Sequence, residues 1–97
     1  MEEKELYQQK MKAQLDLWKA EIDKLKAKAA GANADAQLKL NKQIKSLESE
    51  IKEGKVKLSA LAEATDDAWH SMKEGVESAW SSLKTAVSDA AEKFKDK

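Results

Sequence analysis

Apolar residues recur at helical spacing along the whole of this chain, but near Thr65 the period changes from seven residues to eleven. Before the change the pattern steps by four and three through Met11, Leu15, Trp18, Ile22, Leu25 and Ala29. It does so again through Leu40, Ile44, Leu47, Ile51, Gly54, Leu58 and Leu61. After it, Asp66 to Val76 and Glu77 to Val87 are two copies of an eleven-residue unit, and a frayed third copy begins at Ser88. Trp69, Trp80 and Ala91 share one column of the repeat, Met72, Leu83 and Phe94 a second, Val76 and Val87 a third. A seven-residue period winds helices into a left-handed seam, whereas eleven residues fill three turns of a nearly unstrained helix and draw a straight stripe. A chain that carries both is all-α, and its apolar faces need helices or another surface to cover them.

The absence of proline and the presence of only three glycines, Gly31, Gly54 and Gly75, leave few places to turn. Gly31 reads as the residue just past a first helix, and Asn33 as the cap of a second with Asp35 in its first turn. Two heptad segments joined near residues 31–34 make an antiparallel coiled-coil hairpin over residues 1–65, and residues 66–97 form a separate repeat module. Pairing across the hairpin sets Trp18 against Ile51 and Leu15 against Gly54, or the same faces displaced by one heptad. The path into the third segment stays open at this level. Thr65 or Asp66 can cap a new helix, so the repeat folds back as the third helix of a bundle. Yet residues 62–68 hold no glycine or proline, and the apolar spacing runs on through Leu58, Leu61, Thr65, Ala68 and Met72. A second helix continuous with the third, about 60 residues long, satisfies the same pattern.

Composition narrows the function classes. All 18 basic residues are lysine, balanced by 18 acids. Without the bidentate fork of arginine and without net charge, specific nucleic-acid readout is not expected. The chain has no cysteine, so thiolate catalysis, disulfides and cysteine-based zinc sites are excluded. Met1 to Glu5 are charged apart from the methionine, and no apolar stretch approaches the roughly 20 residues that span a bilayer. The expected location is the cytoplasm. His70 is flanked at four residues on either side by Asp66 and Glu74, a geometry able to hold a divalent cation weakly, but a solvated helix face explains it as well. There is no nucleophile with a base, no phosphate loop and no carboxylate pair in a pocket. The expectation is a non-enzymatic protein without cofactor, resident metal or small-molecule substrate.

The residues expected to make contacts are therefore apolar. Met11, Leu15, Trp18, Ile22, Leu25, Leu40, Ile44, Leu47, Ile51, Leu58 and Leu61 form the hairpin core. Trp69, Met72, Val76, Trp80, Leu83, Val87 and Phe94 form the interaction stripe of the repeat. The stripe covers an arc of about 100 degrees, and a strip of small residues runs beside it, which suits helix packing. Self-association or binding to another helical protein is the first expectation. Lys73, Lys84 and Lys95 recur beside the tryptophans, as they do in helices that lie on lipid headgroups. A weak, peripheral membrane surface is the alternative partner.

Lys73-Glu74-Gly75-Val76 resembles the core of the eleven-residue repeat of synucleins, and the period is similar to that of late-embryogenesis-abundant and apolipoprotein-like helices. That resemblance implies a surface-induced helix that coats membranes. Over most of its length the chain resembles small bacterial coiled-coil proteins associated with stress responses. The stretches that carry this are Tyr7 to Leu15, Trp18 to Leu25, and Asp67-Ala68-Trp69 leading to Gly75 through Trp80. This second resemblance implies a cytoplasmic, stress-linked helical protein and brings no reaction mechanism.

Overall fold

The computed structural model describes residues 3–93 as three helices, α1 (Glu3–Ala30), α2 (Ala34–Ala62) and α3 (Asp66–Lys93). Each is 28 or 29 residues long, and together they form a three-helix bundle of 51 × 21 × 16 Å. The α3 segment folds back on the hairpin, antiparallel to α2 and parallel to α1. Lys4 of α1 pairs with Asp66 at the start of α3, Tyr7 meets Trp69, and Trp18 meets Trp80. The long extent matches a single helix of about 43 Å plus its turns. The extended alternative, with α2 and α3 continuous, is not the form seen.

Asn33 caps α2 as its position suggests. Its backbone is extended (φ −69°, ψ 169°), and its side chain accepts a hydrogen bond from the Ala36 amide at 3.0 Å. Gln37 Nε2 donates to the Ala29 carbonyl at 3.0 Å, which ties the first turn of α2 to the last turn of α1. Gly31 departs from its expected role. No residue among those described has a positive φ, so the chain leaves α1 through tight turns in which Gly31 N donates to Lys28 O and Ala32 N to Ala29 O. The side-chain and backbone bonds around Asn33 make the turn without the left-handed freedom of glycine.

The core takes the four-three positions of the hairpin and the repeat. Met11, Leu15, Ile22, Leu25 and Ala29 are buried from α1, and Leu40, Ile44, Leu47, Ile51, Gly54 and Leu61 from α2. From α3 the buried residues are Trp69, Val76, Trp80, Leu83, Val87 and Ala90. Three expected positions are only half-buried: Trp18, Leu58 and Met72. Trp80 explains the first. Its indole fills the centre of the bundle, and Trp18 is left at the seam between α1 and α3 with its ring 6.3 Å from that of Trp80. Leu58 lines an open groove opposite the polar Gln8, Gln9 and Lys12 of α1. Phe94 lies outside the described residues. The third copy of the repeat drifts: Ala90, rather than Ala91 in the column of Trp69 and Trp80, is buried, so the buried steps from Val76 run four, three, four, three. Beyond its first copy the stripe returns to heptad spacing, because it packs against a heptad hairpin.

Candidate interaction surface

The repeat stripe is the candidate site, and two tryptophans set its geometry. Trp80 is only 3% exposed and reaches across the bundle, donating its Nε1–H to the Met11 carbonyl of α1 at 3.1 Å. That carbonyl lies inside α1, where a backbone amide is its ordinary partner, so the indole takes the second lone pair. Beneath the six-membered ring lies Gly54. A Cβ built there would stand 3.2 and 3.3 Å from Cζ3 and Cη2 of Trp80 and 3.5 Å from Cδ1 of Leu83. The missing side chain of Gly54 does make room for a larger neighbour, as the sequence implied, but that neighbour is Trp80 of α3 rather than Leu15 of α1. One residue therefore ties all three helices together.

Trp69 sits at the other end of the stripe in a cluster of rings and cations. Tyr7 of α1 meets it edge-on at 5.6 Å, and His70 does so at 5.5 Å. Lys73 lies over both Tyr7 and Trp69, at 4.9 and 5.0 Å from the ring centroids, and Lys4 lies 5.9 Å from Trp69. The Tyr7 hydroxyl donates to Glu77 at 3.4 Å. Burial and then the Glu77 charge push its pKa up to about 12. At the mouth of the cluster the Lys4 ammonium holds the Asp66 carboxyl below the usual carboxylate range. Unlike Trp80, the buried Nε1 of Trp69 has no hydrogen-bond partner. The cluster was only partly visible in the sequence. Lys73 beside Trp69 could be read from the repeat, whereas Tyr7 sits 62 positions earlier and comes alongside only because α3 folds back.

The other residues singled out by pattern fall elsewhere. Lys84 lines a groove between α1 and α3 with Gln14, Leu17, Trp18, Glu77, Trp80 and Ser81, and Lys95 lies outside the described residues. His70 presents its ring to Trp69, and among the described residues no three of His, Asp and Glu converge on a point. On the face away from α3, Lys19 and Lys55 meet across the hairpin. The close approach of Lys19 lowers the Lys55 pKa. No described helix is long and apolar enough to cross a membrane. Comparison with family models, with characterised proteins and with solved structures finds no match.

Proposed function

We propose that the chain is a non-enzymatic helical interaction protein that self-associates, with the eleven-residue stripe of α3 as the associating face. One observation carries the reading: Trp69, Val76, Trp80, Leu83, Val87 and Ala90 are buried only through docking of α3 onto a hairpin that every copy of the chain presents alike. The remaining exterior supports it by what it offers instead. Its large exposed apolar side chains are Leu6, Leu17, Leu38 and Val56, and three of its grooves are open and lined mostly by lysines, acids and amides. A cytoplasmic, stress-linked setting, as the resemblance to bacterial coiled-coil proteins implies, belongs to the same proposal. Sedimentation over a wide concentration range tests it, with the expected result a concentration-dependent dimer mass. A strictly monomeric species at every concentration removes the reading.

A lipid surface is the second reading, favoured by the ammonium of Lys73 held on the ring faces of Tyr7 and Trp69. Lipid contact through the stripe requires α3 to swing off the hairpin. Brominated lipid in vesicles should then quench Trp69 and Trp80, and absence of quenching at every lipid composition rejects it.

A further inference from the structure

The connection between α2 and α3 contains three residues, Glu63, Ala64 and Thr65, and nothing in it forbids a helix. There is no glycine, proline or positive φ, and Glu63 already sits near helical geometry at φ −95°, ψ −1°. Its closed form rests on few bonds. Glu63 N donates to Ala60 O at 3.2 Å and Ala64 N to Leu61 O at 3.1 Å, while Thr65 Oγ1 accepts from Ala68 N at 3.3 Å. The bond from Trp69 N to Thr65 O, at 2.8 Å, is already the one an uninterrupted helix would make. Straightening the segment replaces the two tight bonds with helical ones and gives up only the Thr65 cap. The apolar spacing carries straight through, from Leu58 and Leu61 to Ala68 and Met72. The α1–α2 turn is different, because the extended Asn33 and the Gln37 bond to Ala29 hold it shut.

Every contact that α3 makes with its own hairpin can be made with the hairpin of a second copy. Those contacts include the Trp80 bond to Met11, the seat of Trp80 on Gly54, the rings of Tyr7 and Trp69, and the Lys4–Asp66 pair. We propose that two copies exchange α3, each fusing α2 and α3 into one helix from residue 34 to residue 93. Two such helices run antiparallel about a two-fold at the straightened connections, with a complete three-helix bundle at either end. The fused helix is about 90 Å long, against 51 Å for the closed monomer. The connection is thus a hinge with two settings, and concentration chooses between them. This inference rests on the reading that copies associate through the α3 stripe, and it names how they do so.

The test uses the full chain, refolded from denaturant at low and at high concentration and examined by sedimentation and small-angle scattering. The expected product at high concentration is a dimer whose longest dimension is at least about 90 Å. Asp66→Pro places proline at the first position of α3. There its missing amide is unsatisfied in any case, so the closed monomer tolerates it, while the fused helix would break. It should reduce the dimer at least tenfold. Insertion of two glycines after Ala64 should do the same, should the proline variant fail to fold. Thr65→Ala removes a cap that only the closed form uses. It should favour exchange about fivefold at each hinge, and so raise the dimerisation constant roughly twenty-five-fold. A dimer no longer than the monomer, or one indifferent to both the proline and the glycine variants, overturns the exchange and leaves self-association standing. If wild type and Thr65→Ala both stay monomeric at every concentration, the exchange and the proposed self-association fall together.

Discussion

Gly54 and Gly75 both lie inside helices, and replacement by alanine should shift stability in opposite directions at the two sites. In each case the backbone gains the same helix propensity, about 1 kcal/mol. At Gly75 of α3 nothing stands within 4 Å of the added Cβ, so that gain appears undiminished. At Gly54 the Cβ arrives 3.2 Å from Trp80 Cζ3, and the indole has little freedom to retreat. Its far edge is held by the bond to Met11 O, and the added Cβ also meets Leu83 Cδ1 at 3.5 Å. Overpacking of this kind costs about 1–3 kcal/mol, and loosening the indole bond adds about 0.5–1.5 kcal/mol. The net effect of Gly54→Ala is a loss of roughly 1 kcal/mol or more, so the two variants differ by about 2 kcal/mol. For a domain of this size each kcal/mol moves Tm by about 4–8 °C. Thermal unfolding followed by circular dichroism should therefore place Gly75→Ala above wild type and Gly54→Ala below it. If Gly54→Ala stabilises as much as Gly75→Ala, the placement of Trp80 over Gly54 is wrong.

The two buried tryptophans should also respond differently to phenylalanine. Trp80→Phe loses a satisfied hydrogen bond, whereas Trp69→Phe removes a buried donor that has no partner, so Trp80→Phe should be the more damaging by at least about 1 kcal/mol in denaturant unfolding. Equal losses would contradict the assignment. Tyr7 is the single tyrosine of the chain, so phenolate absorbance reports it alone, and its midpoint in the folded protein should lie near 12 rather than 10. Because the folded value is raised, the contribution of Tyr7 is fully present below the unfolded pKa and is lost as pH climbs from about 10 through about 12. Tyr7→Phe should flatten the stability profile in that window. Across the hairpin, Lys19→Gln should relieve the repulsion that lowers the Lys55 pKa. The variant should unfold at higher denaturant than wild type at low salt, and the difference should shrink as salt is added. A gain independent of salt would point to packing instead of charge.

Periodicity alone was enough for much of the architecture. Three helical segments, a cap at Asn33 and the inward faces of α1 and α2 follow from local rules, because side chains three and four residues apart share a helix face wherever the helix goes. The same logic marked Trp69, Val76, Trp80, Leu83 and Val87 as the face of the third segment. It was silent about partners far apart in the chain. Nothing in the spacing could say that Tyr7 would meet Trp69 edge-on, that Lys73 would lie over both, or that Lys4 would meet Asp66. Trp18 looked as central as any heptad residue, and it lost that place because a larger competitor arrived from another helix. Gly31 looked like the glycine that mattered for its backbone, whereas the glycine with a structural consequence is Gly54, for the side chain it lacks.

Propensity, capping and period therefore settled the all-α class, where the first turn falls and which residues seek cover. Tertiary structure decided what provides the cover. Residues 63–65 hold no glycine or proline, and their spacing admits a helix as well as the turn that forms. The choice falls to the docking of Trp69, Trp80 and their neighbours on the hairpin, an interaction between segments that no local pattern encodes. Within one chain that docking closes α3 into the bundle seen here.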